Sequence, residues 1–210
     1  MDDDPRLEVL DGIVRARRMI RAFTDQPVDA EVLTRLLELT RRAPSAGNTQ
    51  AWELLVLEGD ETEVYWEATL GARRMGFGWP GLLRAPVLVV VYVRPGAYVD
   101  RYAEADKAAT GLGDSTESWT VPYWWVDGGA AVENLLLAAT AAGLGACLFG
   151  QFEHEDSVRR AFAVPDDRRA IGTVAIGHPD TDTDASGRSA GRARPGLDEI
   201  VHRGQWRRLS

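Results

Sequence analysis

The chain has 210 residues, 45% of them hydrophobic, enough for a sizeable core in one domain or at most two small ones. Its formal net charge is −8 and its isoelectric point about 5.0, which argues against nucleic acid as the main partner. The N-terminus MDDDPRLEVL has neither a basic nor an apolar signal region, and no apolar run approaches the roughly 20 residues that span a bilayer, so the simplest reading is a cytoplasmic protein with no membrane partner.

Asp4-Pro5 reads as the N-cap and first residue of a helix that carries Leu7, Leu10, Ile13 and Val14 and runs towards RARRMIRAF. A second helix is predicted over 29–42, capped by Asp29, with Val32, Leu33, Leu36, Leu37 and Leu39 apolar, and stopped by Pro44. A polar loop, Ser45 to Gln50, separates it from a strand over 52–59 that opens with Trp52. A helix over 61–75 and a proline-fenced strand over 85–95 follow, then an irregular segment over 96–126. Asp127 reads as the N-cap of a long helix through GGAAVENLLLAATAAGLG, which leads into a short buried strand over 146–150. A helix over 156–164, a strand over 169–177, a loop over 178–196 and the ending LDEIVHRGQW complete the chain. Helices and strands alternate only loosely, which leaves both α+β and α/β open.

Conventional catalytic motifs are missing. The histidines His154, His178 and His202 lack a metal-ligand spacing, and Ser45 is not in a nucleophile elbow. GLGACLFG follows a helix and enters a strand, the reverse of a dinucleotide fingerprint. Its cysteine, Cys147, is the only one in the chain, so no intrachain disulfide is possible, and it reads as a buried, inert thiol. Basic residues nevertheless cluster in this acidic chain: Arg15, Arg17, Arg18 and Arg21; Arg41 and Arg42; and Arg188, Arg192 and Arg194. Each arginine alone is ordinary surface charge, but two clusters converging would suit a phosphate, whose oxygens match the guanidinium fork. Trp119, Tyr123, Trp124 and Trp125 crowd one short stretch, either as core or as the wall of a pocket for a flat ring.

Taken together, these pieces resemble the FMN-dependent nitroreductase family. RRMIRAF (17–23) is similar to its R-R-S-x-R-x-F phosphate motif, and APSAGNTQAW (43–52) to its A-P-S-x-x-N-x-Q-P-W loop. DGGAAVENLLLAATAAGLGACLFG (127–150) resembles its central helix and following strand, AIGTVAIGHP (170–179) its late strand, and GRARPGLDEIVHRGQW (191–206) its basic C-terminal signature. The match follows the family's order over nearly the whole chain. It departs at Met19, where the family usually has serine, and at Ala51, where it has proline.

The resemblance implies one α+β domain over 1–210, a central mixed β-sheet flanked by helices, and a homodimer in which the two chains wrap around each other with FMN at the interface. It implies that Arg17, Arg18, Met19 and Arg21 face the phosphate and flavin, and that Arg192 and Arg194 close on the phosphate. Pro44, Ser45, Ala46, Gly47, Asn48 and Gln50 would lie against the cofactor, partly across the subunit boundary. Gly143, Leu144, Gly145 and Gly150 would pass near the ring, with the Gly150 N–H facing flavin N5. The segment 96–126 would form the variable lid, with Trp119, Tyr123 and Trp124 stacking on the acceptor and Lys107 as a further candidate cation. The implied activity is ping-pong hydride transfer from NAD(P)H to a nitroaromatic or quinone-type small molecule. The same fold also hosts reductive dehalogenation, flavin fragmentation and peptide dehydrogenation, and a flavin-binding protein without turnover is the non-enzymatic alternative.

Overall fold

The computed structural model describes residues 4–184, 187 and 191–206; Arg188 lies outside them. The architecture is α+β. Strands β1 (Trp52–Glu58), β2 (Val87–Val93), β3 (Gly145–Phe149) and β4 (Arg169–Gly177) form one sheet in the order β1-β2-β4-β3. Among the described residues every strand pair is antiparallel, which corrects the expected mixed sheet; an isolated bridge between Met19 and Ala146 is parallel.

Strand β2 explains the layering. All seven of its residues are buried, as its unbroken apolar run requires of a strand covered on both faces. Val87, Val89 and Val91 face a cluster built with helices α2 (Ala30–Thr40) and α5 (Tyr123–Ala141). Leu88, Val90 and Tyr92 face the opposite cluster, which holds Tyr65 and Trp66 of α3 (Asp60–Thr69) and Val158 of α6 (Glu155–Ala161). A third cluster joins Ala43, Trp52, Val93, Tyr98, Trp119, Trp124 and Ala131 at the end of the sheet where β1 begins and β2 ends.

The expected helix starts are found at Asp4, whose carboxylate accepts the Arg6 N–H above α1 (Pro5–Ala16), and at Asp29, which accepts from Glu31 and Val32. Three boundaries differ from the sequence reading. The helix predicted over 61–75 stops at Thr69, because Gly71 turns left-handed (φ +48°) and the chain continues as 3₁₀ turns. Segment 96–126 is not wholly irregular: α4 (Pro95–Tyr102) occupies its start. Helix α5 begins at Tyr123, so Asp127 lies inside the helix and does not cap it. The short helix α7 (Leu197–Ile200) is the last element among the described residues. Helix α1 touches α5 but buries no residue; Leu7, Leu10 and Val14 are each about half exposed or more. No helix among the described residues is long and apolar enough to cross a membrane.

Candidate functional site

The basic segment after α1 runs along the outer edge of β3. The Ile20 N–H donates to the Ala146 carbonyl at 3.0 Å, and the Leu148 N–H donates to the Met19 thioether sulfur at 3.4 Å. The segment therefore covers an edge that would otherwise show unpaired backbone groups. Gly145 permits this approach, since a Cβ there would meet Ile20 at 3.0 Å. Further on, Phe23 donates to Gly81, Thr24 donates to His178, and Ala22 accepts from Asp180.

This placement fixes the arginines. Arg17 is largely covered and lies 3.8 Å from Glu133 of α5, whereas Arg18 is exposed and unpaired among the described residues. The Arg21 guanidinium sits over the Trp79 ring at 5.1 Å and donates to the Met19 carbonyl at 3.1 Å. Its backbone N–H donates to the Asp184 carboxylate at 2.7 Å.

Arg21 and Gly150 line a cavity of about 310 Å³ whose walls include Trp66, Phe77, Trp79 and Phe149. Trp66 and Phe149 stack at 5.7 Å between centroids. Cys147 also lines this cavity, and burial pushes its thiol above the ordinary value. A wider depression of about 520 Å³ beside Asp25, Glu63, Arg74 and Arg84 offers less, because those charges already pair with each other. Phe152, which sequence reasoning passed over, is exposed with φ +48°, and its ring lies against Gly150.

The serine–asparagine loop lies at the opposite edge of the sheet, before β1. Three of its residues are left-handed: Gly47 (φ +61°), Asn48 (φ +54°) and Gln50 (φ +52°). The Gln50 N–H donates to Ser45 Oγ at 2.9 Å, and Gln50 Nε2 donates to Asn48 Oδ1 at 2.8 Å. The Ala46 N–H donates at 2.8 Å to Asp127, whose carboxylate also accepts the Tyr98 hydroxyl at 2.7 Å. Burial and that carboxylate push the Tyr98 ionisation upward, so its hydroxyl stays a donor. Between this loop and the β3 edge lie three strand spacings, roughly 14 Å. Within one chain, loop and arginines do not meet.

The sequence model of the Nitroreductase family matches residues 14–178. The chain belongs to the nitroreductase family. It is similar to a 4-nitrobenzoate reductase of Nocardioides sp. (strain LMS-CY), 28% identical with 84% of this chain and 83% of that one covered. It is 30% identical to an NADH dehydrogenase of Thermus thermophilus, covering 82% and 89%. It shares its fold with a nitroreductase of Desulfovibrio desulfuricans solved in complex with FMN, at a TM-score of 0.68 and 24% identity, covering 94% and 98%. Nitroreductases are oxidoreductases, and the chain is an enzyme of that class.

Within the nitroreductase frame, the structure divides the expected site residues. Arg21 and Gly150 share the aromatic cavity, while Met19, Arg17 and Arg18 lie on the adjoining edge. Gly143 and Leu144 do not reach that cavity. Gly143 (φ +73°) turns the chain out of α5, and Leu144 is part of the core. Arg192 and Arg194 are exposed and make no ion pair among the described residues. Pro44 is exposed ahead of the loop.

Trp124, expected to stack on an acceptor, is instead packed in the third cluster, edge-on to Tyr98 and Trp119. Trp119 is buried as well, its Nε1 donating to the Leu112 carbonyl at 2.9 Å. One edge of Trp119 and the exposed ring of Tyr123 line a shallow groove of about 500 Å³ beside Ala46 and Tyr102. Lys107 lies over the Tyr102 ring at 5.7 Å, outside that groove's wall.

Proposed function

We propose that the chain is an FMN-dependent oxidoreductase that passes hydride from NAD(P)H to an electron-poor small molecule of the nitroaromatic or quinone type. One observation carries this reading: the segment Arg17–Arg21, held along the β3 edge, brings the Arg21 guanidinium to a ring-lined cavity that Gly150 also lines. The donor set fits the cofactor. Guanidinium forks match phosphate oxygens, and flat aromatic walls accept a planar ring. Bound FMN would supply the two-electron carrier, a chemistry that asks the protein for no nucleophile of its own.

The chain's residues then have defined tasks. Arg17 and Arg18 hold the phosphate, joined by Arg192 and Arg194 from the C-terminal segment. Arg21 places positive charge beside the ring, where negative charge develops on reduction. Ser45, Gly47, Asn48 and Gln50 supply donors and acceptors from a second copy, since the loop and arginines of one chain lie at opposite edges of the sheet. The exposed apolar residues of α1 support such a homodimer. The groove beside Ala46, Trp119 and Tyr123 takes the acceptor, after the donor has left.

The test is the visible absorbance spectrum of the purified protein, before and after anaerobic NADPH. A bound yellow flavin that bleaches, and recovers its colour with a nitroaromatic or quinone, supports the reading. A colourless protein that cannot be reconstituted with FMN overturns it.

A further inference from the structure

We propose that Asp127, with Tyr98 and Arg101, is a latch that positions the loop 45–50 for the cofactor. The proposal rests on the flavin reading above.

The carboxylate of Asp127 is hard to explain by helix formation. It sits in the second turn of α5, away from the cap position, and is buried at 5% exposure. No cation pairs with it among the described residues. A buried carboxylate without a counter-charge is costly unless hydrogen bonds compensate. Both of its hydrogen bonds go to one oxygen: the Ala46 N–H at 2.8 Å and the Tyr98 hydroxyl at 2.7 Å. The first of these is made to the loop itself.

Two further contacts reach the next residue of the loop. Arg101 Nε donates to the Gly47 carbonyl at 2.8 Å, while its fork holds Asp106 at 2.7 and 2.8 Å. The Tyr102 ring lies so close to Gly47 that a Cβ there would meet it at 2.8 Å. Asp127, Arg101 and Tyr102 thus grip Ala46 and Gly47, with Tyr98 bracing Asp127 from behind.

The gripped loop is strained. Asn48 and Gln50 hold left-handed backbones that non-glycine residues adopt at a cost, and such conformations persist only where the surroundings over-determine them. The result is a loop that turns Asn48 and Gln50 to solvent, with the Asn48 Nδ2 donor unused among the described residues. Side chains in that state are preorganised for a ligand. Asp127 and Tyr98 are therefore positioning residues acting through Ala46, and α4 and the first turns of α5 form part of the support of the cofactor site.

The test compares Asp127→Ala, Asp127→Asn and Tyr98→Phe in the full chain. One readout is hydrogen exchange at the amides of 46–50 without flavin; the other is the FMN dissociation constant from quenching of flavin fluorescence. Asp127→Ala is expected to speed exchange at Ala46 and its neighbours, leave the sheet amides protected, and weaken FMN about tenfold or more. Asp127→Asn keeps an oxygen that accepts both donors, and is expected to stay within about twofold of the parent. Tyr98→Phe, which deletes one oxygen, is expected to weaken FMN roughly fivefold and carries the test where Asp127→Ala does not fold. Unchanged loop exchange, or faster exchange with unchanged FMN affinity, overturns the positioning role. A parent protein that binds no FMN refutes the flavin reading and the positioning role with it; faster exchange at Ala46 in Asp127→Ala then still identifies the latch as a feature of the fold.

Discussion

The Met19 sulfur accepts the backbone N–H of Leu148 at 3.4 Å, and its side chain packs against the clusters on both faces of the sheet. The residue that departs from the family's serine thus seals the β3 edge with an apolar side chain. Met19→Ser is expected to destabilise the protein by about 1–2 kcal/mol, the scale of truncating a partly buried side chain. Urea denaturation midpoints of the two proteins check this; equal midpoints would show that the sulfur contact contributes nothing.

The aromatic stretch divides into structural and groove-facing rings. Trp124→Ala opens a hole among Tyr98, Trp119 and Ala131 and is expected to cost about 3–5 kcal/mol. Tyr123→Ala, at an exposed ring, is expected to change stability by no more than about 0.5 kcal/mol while raising the acceptor KM. Thermal melts together with steady-state kinetics distinguish the two. A Tyr123 variant with unaltered constants for every acceptor removes the groove from the substrate site.

Arg18 is exposed and unpaired among the described residues, so Arg18→Ala should leave the melting temperature alone and weaken FMN. Loss of one charge-assisted contact predicts about 1.5–3 kcal/mol of binding, roughly ten- to a hundredfold in the dissociation constant. Fluorescence titration measures it, and an unchanged constant would place the phosphate elsewhere.

Tyr65 is buried, and its hydroxyl hydrogen-bonds that of Thr173 at 2.7 Å. Burial pushes its ionisation from 10.0 up to about 12, in spite of the hydrogen bonds from Thr173 and Gln151 that lower it. The fold favours the protonated phenol, so this stabilisation is complete below pH 10. It is lost as pH rises towards 12, and amounts to about 3 kcal/mol when fully lost. Stability should be level from neutral pH to about pH 10 and fall steeply beyond it. In Tyr65→Phe the alkaline fall should be shallower, which denaturant titrations at stepped pH would show.

The sequence made the local signals legible. Asp4 and Asp29 announced their helices through capping chemistry, and the valines of β2 announced a strand covered on both faces. Arg17–Arg21 and Ser45–Gln50 stood out by composition. What could not be read was long-range. Asp127 followed by two glycines looks like a helix start, and only the fold brings Ala46 and Tyr98 to its carboxylate, from 81 and 29 residues away. Trp119 and Trp124 have the composition of a ring-binding lid, and their burial is decided by Tyr98, distant in the chain. The strand directions depended on connections that periodicity does not encode, so a mixed sheet was as legible as an antiparallel one.

The arginine segment and the loop occupy opposite edges of one sheet, and this has a genetic consequence. In the wrapped dimer proposed above, each site would take its arginines from one chain and its loop from the other. A chain crippled at Arg18 and a chain crippled at Asn48 would each be defective alone. Unfolded together and refolded as a mixture, they would form hybrids carrying one intact site and one doubly damaged site. Random assortment would return about a quarter of the parental activity from two poorly active parents.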